Sequence, residues 1–149
     1  MARRRLKVGN QLKLSVTIES DVRFSDIDVL HMIWHGHYIQ YLEMAREAFG
    51  KKYGLSYQDM AKAEIVTPIV EMQLFYHSPG RLGDRLEITV HLIIQPAAKL
   101  EFYYEIKRAN TDTLLVEART VQAFTSTAGE MIITMPPLLS ALVDRVGKA

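Results

Sequence analysis

Residues 22–46 read VRFSDIDVLHMIWHGHYIQYLEMAR, and within them the hydrophobic period changes once, from that of a strand to that of a helix. Upstream, Leu12, Leu14, Val16, Ile18, Val22 and Phe24 form an apolar-alternating run, which predicts a half-buried strand. If that strand continues, Asp26 and Asp28 lie at i and i+2 and point to the same side. From about Gly36 onward, Tyr38, Tyr41, Leu42, Ala45, Ala48 and Phe49 fall on one helical face, with Glu43, Arg46, Glu47 and Lys51 on another. The link between the two patterns holds His31, Trp34, His35 and His37 and bends at Gly36. No other part of the chain gathers as many acids and imidazoles.

The helix therefore begins within a few residues of the carboxylates. Its first backbone N–H groups have no partner inside the helix, and the macrodipole adds a partial positive charge there. A carboxylate facing such a terminus suits acyl transfer: the amides polarise a carbonyl, and the carboxylate attacks it or activates water. That chemistry needs neither a metal nor a cofactor.

Beyond this segment the chain reads as strands. Lys51, Lys52 and Gly54 make a helix stop, and residues 56–63 form a short connector with helical character. Val70, Met72, Leu74 and Tyr76 alternate with Glu71, Gln73, Phe75 and His77, up to a turn at Ser78, Pro79 and Gly80. Leu86, Ile88, Val90, Leu92 and Ile94 give the clearest strand, and Leu100, Phe102, Tyr104 and Ile106 give the next. A long strand follows from Leu114 to about Thr127. Its apolar positions pass from even (Leu114, Val116, Ala118) to odd (Val121, Ala123), which predicts a bulge near Arg119. Met131–Met135 reads as a short strand, and Pro136 with Pro137 leads into a closing helix bearing Leu138, Leu139, Leu142, Val143 and Val146. Short turns make neighbouring strands antiparallel, so one early helix has to be nearly engulfed by a large antiparallel sheet. Ile39 and Met44 extend its apolar surface beyond a single stripe. Exposed edge strands favour a dimer that continues the sheet.

A chain of 149 residues is one domain's worth, 1–149, and 48% hydrophobic with 23% charged residues describes an ordinary globular protein. A formal charge of +1, with basic residues spread along the chain, gives no reason to expect nucleic acid binding. Arg3, Arg4, Arg5 and Lys7 read as a solvated end, or as a patch attracting a phosphorylated ligand. Zero cysteines rule out disulfides and thiolate chemistry and suit a reducing cytoplasm. No apolar run approaches the roughly 20 residues of a membrane helix. Cytoplasmic is therefore the expectation.

Phe24, Asp26, Asp28, Ile33, Trp34, His35, Tyr38, Tyr41 and the Glu43, Ala45, Arg46 group, together with the later run Tyr76–Asp84, resemble the hotdog-fold thioesterases, in the branch of 4-hydroxybenzoyl-CoA thioesterase. The match extends over nearly the whole chain. It implies an α+β hotdog fold, an antiparallel sheet wrapped around one long central helix. It implies hydrolysis of an acyl-CoA or acyl-carrier-protein thioester without a cofactor. Asp28 is then the catalytic nucleophile or general base, and backbone N–H groups near His35 polarise the carbonyl beside the His35 side chain. Trp34, Gly36 and Tyr38 meet the substrate, and Lys99, Lys107 or Arg108 meets the CoA phosphates, with Lys99 taken as the first choice. The resemblance also implies a homodimer or homotetramer whose site lies at a subunit interface. Two positions depart from the family pattern: His31 stands where Gly is usual, and His37 where Asn is frequent.

Each of these residues has a plainer reading. Asp28 suits a turn-forming or capping aspartate, and Asp26 a structural one. His31 and His37 read as polar loop or interface residues, and Trp34, Tyr38 and Tyr41 as packing. The three histidines straddle a loop-to-helix junction, a poor spacing for a metal site. Glu43 reads as a partner for Arg46 at i+3 or for another side chain. Two rival functions use the same residues: a hotdog hydratase or dehydratase on 3-hydroxyacyl thioesters, pairing Asp28 with His35, and a non-catalytic acyl-thioester binding module.

Overall fold

The computed structural model describes Leu6 and residues 13–147. The strands are β1 (Lys13–Asp21), β2 (Ile65–Val66), β3 (Ile69–Tyr76), β4 (Arg85–Ile93), β5 (Lys99–Arg108), β6 (Leu114–Ala123) and β7 (Thr125–Ser126), and the helices are α1 (Tyr38–Tyr53), α2 (Tyr57–Lys62) and α3 (Pro137–Gly147). Five strands form one sheet in the order β1-β4-β5-β6-β3, antiparallel throughout, while β2 and β7 make a separate pair. This is the α+β arrangement the alternation predicts. Arg3, Arg4, Arg5, Lys7 and Leu12 lie outside the described residues.

Burial of one helix face by one sheet face makes the core. Tyr41, Leu42, Ala45 and Phe49 of α1 are buried against Leu86, Ile88, Val90 and Leu92 of β4, Leu100, Phe102, Tyr104 and Ile106 of β5, and Val116 and Ala118 of β6. Every residue in that list follows the predicted period. Phe49 meets Phe102 edge-to-face with centroids 5.4 Å apart. Helix α1 ends as its stop signal predicts, at Gly54 in the left-handed conformation (φ 73°) with Lys51 and Lys52 in the last turn. The connector is helix α2, opened by a reciprocal cap between Ser56 and Asp59. The closing helix α3 buries Leu139 and Leu142.

Several local expectations give way. Strand β1 stops at Asp21, opposite Arg85 where β4 begins; one further bond, Val22 N–H to the Asp84 carbonyl (2.9 Å), follows, and Phe24–Asp26 then coils into a 3-10 turn. Asp26 and Asp28 therefore do not share a strand face. No bulge lies at Arg119: β5 and β6 stay in register there, with Tyr103 opposite Arg119 and Phe102 opposite Thr120, and the irregularities fall at Ile69/Glu71 and Ile106/Lys107. The apparent change of phase arises because the core-facing positions after Ala118 are the polar residues Thr120 and Gln122, both buried. Residues 131–135 contribute one bridge, Thr125 to Met131, rather than a strand.

Arg46 explains the polar core position at Gln122. The helical pattern assigns it to the charged face, yet it is 1% exposed. Its Nη1 donates to the Leu55 carbonyl (3.0 Å), Nε donates to Gln122 Oε1 (3.4 Å), and its guanidinium lies over Phe102 (4.7 Å to the centroid) and Tyr57 (5.2 Å). Gln122 in turn donates to the Thr67 carbonyl (2.7 Å). Glu43 does not pair with Arg46 but accepts from Tyr57 (3.4 Å). Nor is the helix fully engulfed: Ile39 and Met44 stay exposed, along a groove of about 740 Å³ that Glu43 and Tyr57 also line.

The turn after α1 packs tightly on the helix end. A Cβ on Gly50 would come within 2.7 Å of the Ser56 Cα and 2.9 Å of its nitrogen, both main-chain atoms. Gly50→Ala is expected to cost about 1–3 kcal/mol by overpacking, a fall of roughly 3–10 °C in Tm on thermal unfolding for a chain of this size.

Candidate functional site

The segment from Phe24 to His37 is a closed loop fastened at both ends. After the Phe24–Asp26 turn, Ile27 bridges to Ile33 and Met32 bridges to Arg81. Asp28 N–H donates to the Met32 carbonyl (2.8 Å) and His31 N–H to the Asp28 carbonyl (3.0 Å), so Asp28–Met32 is a tight hairpin end. Its fourth residue, His31, is left-handed (φ 61°), the conformation that favours glycine. The departure at His31 thus keeps a glycine-type backbone at the cost of strain.

Asp28 sits in that turn with one oxygen fixed. Oδ1 accepts from the amides of Leu30 (2.8 Å) and Met32 (3.4 Å), while Oδ2 takes no hydrogen bond from the described residues. Its neighbours Val29 and Leu30 are exposed, Val29 at 94%. Asp28 is thus both a turn former and a carboxylate with an open oxygen.

Asp26 has a different environment. It is 1% exposed; Oδ2 accepts from the Tyr41 hydroxyl (2.7 Å) and the Arg23 amide (3.0 Å), and Oδ1 from His37 Nε2 (2.8 Å) and the Ser25 hydroxyl (3.3 Å). Burial alone pushes this carboxyl up, but the Tyr41 hydroxyl, the Arg23 amide and the charges of His37 and Arg23 outweigh it and hold the group below its usual value. The same contact, added to burial, pushes the Tyr41 hydroxyl up. Asp26 has the contacts of the structural aspartate that its plainer reading describes, and His37, expected in the loop or an interface, is its half-buried partner.

The helix begins with a 3-10 turn, His35–His37, that runs directly into α1. Trp34 N–H donates to the Asp26 carbonyl (3.0 Å) and His37 N–H to the Trp34 carbonyl (2.8 Å). His35 and Gly36 then carry the first amides of the helix, which have no acceptor within it. Trp34 is 52% exposed and lies over Gly36, where a Cβ would come within 2.5 Å of the indole. A side chain at this position would have to displace the ring from where it lies.

Beside this turn lies a cavity of about 320 Å³ lined by Met32, Ile33, His35, Tyr38, Tyr76, His77, Ser78 and Pro79. Tyr76 donates to the His35 carbonyl (2.9 Å), tying the edge strand β3 to the helix start. The Tyr38 hydroxyl accepts from Gly80 N–H (3.0 Å), packs edge-on to Tyr76 (5.6 Å), and is pushed above its ordinary pKa by burial. Of the residues singled out from sequence, His35 and Tyr38 line this cavity; Asp28, Trp34 and Gly36 adjoin those that do. Lys99 does not join it. It lies at the opposite end of β5 from Arg108, about 30 Å along the strand. Arg108 is the cation beside the cavity, with Nη2 on the Pro79 carbonyl (3.4 Å) and Nε 3.2 Å from Asp84. Tyr76, which sequence reading took as a strand residue opening the Tyr76–Asp84 run and gave no role at the site, is a wall of the cavity. His91, on β4, lies near Glu105, and His77, just past the end of β3, lies near Glu117 (both 3.4 Å). Among the described residues, no group of three or more His, Cys, Asp or Glu side chains converges as metal ligands would, and no helix is long and apolar enough to cross a membrane.

Residues 22–143 match the family described as the thioesterase-like superfamily. Similar proteins include YneP of Bacillus subtilis, 30% identical over 44% of this chain and 48% of that protein. They also include an acyl-CoA thioester hydrolase, YbgC, of Escherichia coli, 28% identical over 67% of this chain and 74% of that one. The match thus spans about half the length of the first relative. The fold is that of a 1,4-dihydroxy-2-naphthoyl-CoA thioesterase from Synechocystis, with a TM-score of 0.78 and 21% identity over 87% of this chain and 96% of that one, which confirms the hotdog arrangement.

Two predictions follow from this geometry. Because the folded-state pKa of Asp26 is depressed, its contribution to stability is present above the ordinary carboxylate pKa near 4 and is lost as pH falls from there through the lowered value. Tm measured from pH 6 to pH 3 is therefore expected to fall more steeply for the native protein than for Asp26→Asn. Separately, His31→Gly is expected to relieve the left-handed strain and raise stability by about 0.5–1 kcal/mol, read as a higher midpoint in urea.

Proposed function

The chain belongs to the thioesterase-like superfamily, and from that premise we propose that it hydrolyses acyl-CoA or acyl-carrier-protein thioesters to free acid and thiol. The observation that carries the reading is Asp28: two amides fix one oxygen while the other is open, and the loop that holds it leads directly into a helix start. The open oxygen either attacks the thioester carbonyl, giving a mixed anhydride that water then cleaves, or takes a proton from the attacking water. In both routes the carbonyl oxygen gathers negative charge that the His35 and Gly36 amides stabilise, and the sulfur leaves as a thiol. The cavity bounded by Tyr38 and Tyr76 receives the acyl group, with Trp34 and Gly36 against the thioester.

The same reading makes the protein a homodimer or homotetramer. Strand β3 is a sheet edge with Ile69, Val70 and Tyr76 exposed. Two-fold antiparallel pairing along β3 would set the start of one β3 beside the Tyr76 end of the other, and would bring the Lys99 end of the partner's sheet towards the cavity. Arg108 of the same chain and Lys99 of the partner would then serve the CoA phosphates. A chain without cysteine suits the cytoplasm.

The test is free-thiol release across a panel of acyl-CoA and acyl-carrier thioesters, with Asp28→Asn as the key variant. Asparagine keeps the oxygen that accepts from Leu30 and Met32, so the turn stands while the carboxylate is lost. A drop in kcat of roughly 10²- to 10⁴-fold is expected. Undiminished hydrolysis by Asp28→Asn removes the role from Asp28. Loss of the enoyl absorbance of crotonyl-CoA without thiol release would make the protein a hydratase instead.

A further inference from the structure

We propose that His37 is a positioning residue, which through Asp26 holds the Asp28 turn in place against the first amides of the helix. The inference rests on the thioesterase reading for its kinetic consequence, but its geometry stands apart from it.

Asp26 touches both ends of the loop that carries Asp28. Its main-chain carbonyl accepts from Trp34 N–H (3.0 Å), and its carboxylate accepts from His37 Nε2 (2.8 Å), with the His37 side chain 13% exposed. The carboxylate can only accept, so Nε2 must carry the proton. His37 lies in the 3-10 turn His35–His37, one residue after Gly36, so its bond to Asp26 fastens the helix start itself. The remaining contacts of Asp26 come from elsewhere: Tyr41 (2.7 Å) from the body of α1, and Arg23 and Ser25 from the turn before the loop. His37 also packs edge-on to Tyr41, with centroids 5.2 Å apart.

Residues 27–33 therefore run between two points that Asp26 sets, with their far side tied to the turn before β4 by the Met32–Arg81 bridge and by Ile33 N–H on the Gly80 carbonyl (2.8 Å). With the His37 bond removed, Asp26 keeps Trp34 N–H just before the helix and the Tyr41 hydroxyl one turn into α1, and nothing from the described residues ties it to the 3-10 turn His35–His37 itself. The Asp28 carboxylate and the amides of His35 and Gly36 then lose their fixed separation, while the cavity walls at Tyr38, Tyr76 and Pro79 keep their own bonds. A defect of this kind lowers kcat and spares KM.

Trp34 is the only tryptophan in the chain and sits within this loop, so it reports the effect directly. The variants are His37→Gln, whose amide nitrogen reaches the place of Nε2 and donates, and His37→Met, which has similar length and no donor. His37→Met is expected to lose roughly 10- to 100-fold in kcat with KM within about threefold, and to show lower Trp34 fluorescence anisotropy. His37→Gln is expected to recover most of both. Equal kcat and equal anisotropy for native protein and His37→Met would overturn the proposal, as would equal losses in the two variants. Should His37→Met not fold, the native protein still decides: the His37 ring N–H is expected as a separate, exchange-protected proton resonance that His37→Gln removes, and its absence would overturn the assignment. If no thioester is hydrolysed at all, the functional reading fails while anisotropy and the ring proton still judge the role of His37.

Discussion

Asp26 brings a negative charge into a place nearly free of water, and the surrounding chain is arranged to satisfy it. A carboxylate buried this deeply is tolerated only when donors replace its hydration. Here they come from four directions: the Arg23 amide, the Ser25 hydroxyl, the Tyr41 hydroxyl and the His37 ring. The donors belong to three pieces of backbone: the turn that holds Arg23 and Ser25, the 3-10 turn at His37, and α1 at Tyr41. Satisfying one charge therefore fixes the end of the first strand's extension, the start of the helix and the second turn of α1 relative to one another. The loop with Asp28 is placed by this arrangement and supplies none of it.

The two aspartates divide the labour by environment. Asp26 has all its acceptor capacity engaged and stays ionised because its donors favour the charged form. Asp28, two residues on, spends one oxygen on holding a turn and leaves the other open. Spacing alone does not separate them. They would have been equivalent on a continuous strand, and the 3-10 turn at Phe24–Asp26 is what sends one inward and the other to the surface.

A second buried charge shows where pattern reading stops. Arg46 falls on the charged face of the helical wheel, and its period argues for solvent. The structure buries it because Leu55, Gln122, Phe102 and Tyr57 come together around it from the turn after α1, from β6, from β5 and from α2. The same cluster accounts for Gln122 on the core face of β6, which with Thr120 imitates a change of strand phase when only apolarity is followed. His37 is the parallel case at the site: a histidine near a helix start reads as a surface residue until a carboxylate is found within reach.

What the sequence determined by itself was everything carried by local period and turn chemistry. The helix from Tyr38, the alternating strands β3 to β6, the stop at Gly54, the closing helix and the concentration of acids and imidazoles before α1 all follow from spacing, because burial of one face imposes that spacing. The tertiary structure alone decided which polar residues are inside, which carboxylate is open, and which basic residue stands by the cavity. Those outcomes depend on partners far apart in the chain, such as Asp26 with His37 and Tyr41, Arg46 with Gln122, and Arg108 with Pro79. A polar side chain has no period that announces its partner. Whether it is buried follows from whether distant segments bring it a donor or an acceptor.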